Sequence, residues 1–292
     1  MKDLIKLAKA NRVEQLRTIL VQDETAYAYD CNILLRADSD LPNGFYSVEE
    51  MDKAAALSRL PVVIDSECWQ LPEIEDEPLC AVTIRAEDVQ TVAHAMAKKD
   101  TCYYLNGFFL PPNGDMVATD GHRLVCIARA HEGFPEKFEH SGLSGVIVRE
   151  DVVRFLSKKG VISVRIFKNF VQLGDGVFVR IVEGTFPNYG RHIPRGGEPL
   201  SGGIDRGMVK RALAVAKATK AKYAAIAFEN GHAYMSGEDL GETDMLGSYR
   251  KRIGFNAEYL RDAIDGSISV HNDSMMKITN GETVEVILPI RV

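Results

Sequence analysis

The sequence predicts an α+β protein made of a repeated helix-plus-strands unit, and three observations carry that expectation. Short amphipathic helices recur along residues 80–292. Between them lie β-rich runs broken by hairpin dipeptides, so the order helix-then-strands repeats four times. A Pro/Gly-rich stretch, RHIPRGGEPLSGG at residues 191–203, then divides the four repeats into two pairs.

The first 77 residues are less regular. MKDLIKLAKA reads as a short amphipathic helix, followed by strands at Leu16–Val21 and Ala26–Arg36. SVEEMDKAAALS has the composition of a second helix, PVVID that of a strand, and WQLPEIEDEP that of a linker. In AEDVQTVAHAMAKK, Val89, Val92, Ala93 and Met96 fall on one helical face. NGFFLPPNGDMVATD reads as a hairpin turning at Pro111 to Gly114, with Asn113-Gly114 as the turn dipeptide, and the strand RLVCIA follows. REDVVRFLSKK repeats the helical stripe through Val152, Val153 and Leu156. Strands Val161–Phe167, Val171–Leu173 and Val177–Val182 come next, turning at Lys168-Asn169 and Asp175-Gly176. DRGMVKRALAVAKATK (Val209, Ala212, Leu213, Ala216) and NAEYLRDAI (Leu260, Ala263, Ile264) supply the last two helices. Further hairpins turn at Asn230-Gly231 and Asn280-Gly281. The expected domains are residues 1–77, 78–196 and 197–292.

Composition excludes several classes. Of 292 residues 46% are apolar and 26% charged, the balance of a globular chain. No apolar run approaches the roughly 18–20 residues that cross a bilayer. The start, MKDLIKLAKANRVEQL, is too polar for a signal peptide. Five cysteines without a CxxC pair imply a reduced, cytoplasmic protein without structural zinc. The seven histidines show no HxH or HxxxH spacing, so neither metal nor other cofactor is expected. The net charge of −6 is uneven: residues 1–77 hold 8 Lys+Arg against 16 Asp+Glu, and the remainder 27 against 25. A surface acidic outside and basic inside gives the same sum, so a nucleic-acid partner stays open.

The densest chemistry is TDGHR, Thr119 to Arg123. Asp120 and His122 would make a catalytic dyad only with the imidazole on the carboxylate and a nucleophile or substrate proton alongside. Asp120-Gly121 is equally a turn dipeptide, and no GxSxG, HExxH or phosphate-binding loop occurs in the chain. The stretch therefore reads as a structural or partner-binding turn. Basic residues recur at equivalent places in successive helices: Lys98 and Lys99, then Arg154, Lys158 and Lys159, then Arg206, Lys210 and Lys217. Lysines at helix ends also suit the helix dipole, but their repetition points to a shared cationic face for phosphates. Tyr103 and Tyr104 offer stacking surfaces beside it.

Several of these stretches together resemble one family. YYLNGFFL followed by MVATDGHRLVC is similar to the middle domain of the bacterial sliding clamp, the beta subunit of DNA polymerase III. GTFPNYGRHIP resembles the close of that domain, and IGFNAEYLRDAI with the terminal VEVILPIRV resembles the third. The resemblance covers residues 80–292 almost continuously, and it implies a first domain that is shortened here. It also implies a ring of two three-domain subunits joined head to tail around duplex DNA, with helices inside, sheets outside and no active site. DNA would meet the basic helical residues and a loop bearing Tyr103 and Tyr104. DNA polymerase and clamp loader peptides would dock in a hydrophobic cleft. By the family's motifs the cleft comprises Leu105, Thr119, Gly121, His122, Arg123 and Leu124, then Pro187, Arg191, His192, Tyr223, Asn256 and Tyr259. Met275 and the tail Val286, Ile287, Leu288, Pro289, Ile290, Arg291 and Val292 complete it. The other reading is a clamp relative that does not close and acts as an adaptor or competitor for clamp-binding proteins.

Overall fold

The computed structural model describes the chain except for residues 12–15, 52–53, 59, 61, 63–69, 76, 136–137, 139–143, 197–202, 222–223, 236–237, 247–248, 272–274 and 292. Three antiparallel sheets carry it. The largest runs β5 (Ala54–Leu57), β4 (Gly44–Met51), β1 (Thr18–Gln22), β2 (Thr25–Tyr29), β3 (Ile33–Asp38), β13 (Val177–Arg180), β12 (Phe170–Leu173), β11 (Val161–Ile166) and β6 (Cys80–Arg85). The second runs β10 (Val146–Arg149), β7 (Gly107–Leu110), β8 (Met116–Thr119), β9 (Arg123–Ile127), β20 (Thr283–Ile287), β19 (Met275–Asn280) and β18 (Ser267–His271). The third runs β16 (Glu238–Glu242), β15 (His232–Met235), β14 (Ala225–Glu229) and β17 (Ile253–Asn256). Sheets cross both expected domain boundaries: β3 pairs with β13 through Leu34 and Phe178, and β9 with β20 through Val125 and Glu285.

Strand burial follows what lies on each face. β6 and β11 alternate strictly between buried and exposed, because only one of their faces meets helices. β7, β8 and β12 are buried at every position. In β7 and β8, side chains such as Phe108 and Met116 meet one core, while Phe109 and Val117 meet another. Helix α1 (Lys2–Lys9) inserts Leu4 and Leu7, and α2 (Ala86–Ala93) inserts Val89 and Val92, into a continuous core shared with the two larger sheets. Each such side chain contributes about 1.5–3 kcal/mol. A separate core lies under α3 (Arg206–Thr219) and α4 (Ala257–Asp262).

Local signals worked where the chain turns sharply. Asn230 and Gly231, at φ 51° and 78°, join β14 to β15 in the left-handed conformation that a two-residue hairpin requires. Asp205 caps α3, its Oδ1 accepting from the Met208 N–H at 2.9 Å. Asp205→Ala is expected to lower stability by about 1 kcal/mol, measured by urea denaturation.

Four sequence expectations are corrected. SVEEMDKAAALS is not a helix: its described residues belong to the end of β4 and to β5, with Val48 opposite Leu57. Pairing of β4 along β1 overrides a helical propensity worth only tenths of a kcal/mol per residue. Ala26–Arg36 is two strands rather than one, because Cys31 turns the chain at φ 72° and Asp30 Oδ1 accepts from the Asn32 and Ile33 N–H groups. REDVVRFLSKK forms only a 3-10 helix over Glu150–Phe155; Leu156 is already extended at ψ 152°, so Lys158 and Lys159 end no helix. The helix before Lys98 and Lys99 also stops early, at Ala93, because the three consecutive residues Ala95, Met96 and Ala97 are all buried and so lie on no single helical face. The expected strand PVVID lies outside the described residues apart from Val62, which bridges to Phe45. Among the described residues no helix is long and apolar enough to cross a membrane.

Candidate functional site

TDGHR is the tight connection from β8 to β9. Gly121 sits at φ +83°, where a side chain is disfavoured. Asp120 Oδ1 accepts from the backbone N–H groups of His122 (3.0 Å) and Arg123 (2.9 Å), and Oδ2 accepts from Arg123 Nε at 3.0 Å. Thr119 Oγ1 donates to the Arg123 carbonyl at 2.7 Å and accepts from the Gly121 N–H at 3.1 Å. The Asp120 carboxylate is thus committed to shaping the turn and orienting Arg123. The His122 ring instead lies near Tyr259, centroids 6.4 Å apart.

Arg123 is the best-held side chain of the group. Its guanidinium stacks over the Tyr259 ring at 4.4 Å, and Nη1 stands 3.6 Å from Asp262 Oδ2, beyond hydrogen-bond length. That nitrogen is buried without a hydrogen-bond acceptor. Beside this side chain a cavity of about 230 Å³ is lined by Leu105, Thr119, Gly121, His122, Arg123, Leu124, Pro187, His192, Met275, Val286 and Leu288, together with Tyr189. The tail after β20 is tied down beside it: the Leu288 N–H donates to the His122 carbonyl (2.9 Å) and the Ile290 N–H to that of Gly254 (2.8 Å).

Other expected cleft residues lie around this cavity rather than in its wall. Ile287 faces the opposite side of the sheet and is fully buried in the core under α3 and α4. Asn256 caps α4, accepting from the Glu258 N–H at 2.9 Å. Tyr259 backs Arg123, and Arg191 is exposed at the end of a 3-10 turn, Tyr189–Arg191. Pro289 and Ile290 are half-buried and Arg291 exposed along the tail. Tyr223 and Val292 lie outside the described residues.

Two residues of this region went unread in the sequence. Tyr189, in the middle of NYGRH, donates to Asp115 Oδ2 at 2.8 Å and accepts from Asn113 Nδ2 at 3.0 Å; burial, then the bond to Asp115, holds its hydroxyl above the ordinary range. Glu285 of β20 is fully buried. Its Oε1 lies 3.0 Å from His94 Nε2 at the end of α2, and its Oε2 accepts from the Ile264 N–H just beyond α4 at 2.8 Å.

The basic residues sort unequally. Lys210 and Lys217 are exposed along α3, joined by Arg211, which the sequence reading missed, and the helix contains no acidic residue. Arg206 has a different role, because its guanidinium donates to the carbonyls of Leu260, Arg261 and Ala263 and to Asp265, capping the end of α4. Lys98, Lys99, Lys158 and Lys159 are exposed in turns, and Arg154 lies over the Phe155 ring at 4.7 Å. Tyr103 is exposed, edge-on to Tyr104 with centroids 5.9 Å apart. Lys99, Tyr103 and Arg154 border one broad groove together with Arg149 and Arg180.

No family model matches the chain. The beta sliding clamp of Pseudomonas aeruginosa is 30% identical over 234 residues, covering 70% of this chain and 62% of that relative. The beta sliding clamp of Escherichia coli K12 is 27% identical over 218 residues, covering 68% and 58%. The match to these relatives therefore spans less than two thirds of their length. Among solved structures, a DnaN sliding clamp from Pseudomonas aeruginosa bound to griselimycin superposes with a TM-score of 0.69 at 20% identity, covering 100% of this chain and 96% of that one. A putative DNA polymerase III beta subunit from Eubacterium rectale gives 0.71 at 15% identity, covering 100% and 97%. At such identities the superpositions speak for the fold alone.

Proposed function

Since the chain is a relative of the bacterial beta sliding clamps, we propose that it works as a DNA sliding clamp, a non-enzymatic processivity factor that encircles duplex DNA and docks a polymerase and its loader. The observation that carries this reading is the sequence relation to the beta sliding clamps. In the proposal, residues 1–77, 78–196 and 197–292 are three clamp domains, and two chains close head to tail into a ring. Light scattering is expected to give a closed dimer or higher assembly. A monomer at high micromolar concentration would instead favour an adaptor that keeps the cleft and does not close.

The cavity suits the anchor residues of a short peptide. Its apolar walls, Leu105, Leu124, Met275 and Val286, take hydrophobic side chains, while His122, Arg123 and His192 supply the few polar groups that fix orientation. The Arg123 side chain in the cavity wall supplies the guanidinium that would meet a peptide carbonyl or carboxylate.

Sequence-independent DNA contact falls to the α3 face. Charge reversal at Lys210 and Lys217 is expected to reduce retention on circular duplex and to lower the salt slope of binding by about one per residue changed. Unchanged retention and slope would exclude that face as the DNA contact.

A further inference from the structure

The face of the nine-stranded sheet turned away from α1 and α2 carries an apolar patch, including Leu34, Phe167, Phe170 and Phe178, that among the described residues no helix covers. Register sets Leu34 beside Phe178, Phe178 beside Gln172 and Gln172 beside Arg165, so the patch crosses the β3–β13 seam. What covers it is the chain's own segment from Leu71 to Glu75. Leu71 and Ile74 of that segment pack on the aromatic cluster, while Glu73, Glu75 and Glu77 are exposed. The seat is incomplete. Among the described residues no backbone hydrogen bond holds 70–78 to the sheet; the first comes at Leu79, whose N–H donates to the Ile166 carbonyl at 2.7 Å. A cavity of about 400 Å³ remains between segment and sheet, bordered by Arg36 and Arg165. The Arg36 guanidinium lies 5.1 Å over the Phe178 ring, so cationic groups stand beside the apolar patch where the acidic segment crosses.

We infer that this face is a second docking groove, for short extended peptides that combine apolar anchors with acidic residues, and that segment 70–78 is its resident competitor. The segment displays the chemistry that fits: two apolar anchors three residues apart, inserted over a basic-rimmed aromatic patch, with carboxylates between and beyond them. As a tethered ligand it acts at an effective concentration of about millimolar. A free peptide is held off in proportion to the time the segment is seated.

The test uses the full chain and a fluorescein-labelled peptide of residues 70–78, QLPEIEDEP, read by fluorescence polarisation. The double variant Leu71→Ser, Ile74→Ser is expected to bind it about tenfold more tightly than the wild type. Adding Arg165→Glu should reverse that gain, whereas adding Arg123→Ala should leave it intact, separating this groove from the cleft beside TDGHR. Where the double variant unfolds, the wild type decides, because saturating peptide should raise amide exchange within 70–78. Equal affinities with no change in exchange overturn the proposal. Binding lost on Arg123→Ala also overturns it, since the peptide then sits in the cleft. So does concentration-dependent self-association of the loosened variant, which makes a second copy the occupant.

Discussion

Replacing Arg123 with alanine is expected to weaken binding of a short clamp-binding peptide containing Gln and Leu by about thirtyfold, a loss of about 2 kcal/mol. The side chain walls the cavity, forms ion pairs with Asp120 and Asp262 and packs its plane on Tyr259. Truncation removes all three contributions at once and leaves the Asp120 and Asp262 carboxylates without their guanidinium. Some of the loss would therefore come through the fold, so His122→Ala is the companion variant. Its ring is exposed and its structural bonds run through its backbone, so it should lose peptide affinity while keeping the wild-type melting temperature. Fluorescence polarisation and thermal unfolding of both variants check this, and unchanged affinity in both would remove the cleft assignment.

Glu285→Ala is expected to destabilise the chain by about 1–3 kcal/mol, the cost of leaving a buried hydrogen-bonding group without its partner. The carboxylate joins three elements far apart in sequence: β20 that bears it, His94 at the end of α2, and the Ile264 N–H after α4. Alanine leaves that N–H buried without its acceptor and His94 without its partner. Glu285→Gln keeps an acceptor for the Ile264 N–H and a hydrogen-bonding group beside His94, so it should cost clearly less. Urea unfolding measures both, and a Glu285→Ala loss under about 1 kcal/mol would mean that the pair does not tie these elements together.

How much of this was readable depended on range. The Asn-Gly turns and the α3 stripe are decided within a few residues, and the sequence patterns found them. Residues 47–58 misled because Glu, Met and Ala favour a helix locally, while the pairing of Ser47 with Thr18 is decided across the sheet. At the cavity, motif resemblance brought Leu105, TDGHR, Met275 and Leu288 together, which periodicity alone does not do. Glu285 was hidden for a physical reason. An acid two residues from the inward-facing Ile287 is itself inward by strand alternation, but its acceptability rests on His94, 191 residues away. Arg206 shows the reverse error, since its position suited a cationic face while its guanidinium was already engaged at the end of α4.

The pairing of β9 with β20 also sets a schedule for synthesis. Ile127 leaves the ribosome 156 residues (283 − 127) before Thr283, the partner that completes its ladder. At ordinary elongation rates of about 5–20 residues per second, the β9 edge waits roughly 8–30 s with its N–H and C=O groups open. A nascent chain of this protein thus carries an unprotected apolar strand until β20 has been made. Chaperone demand should fall sharply once β20 emerges.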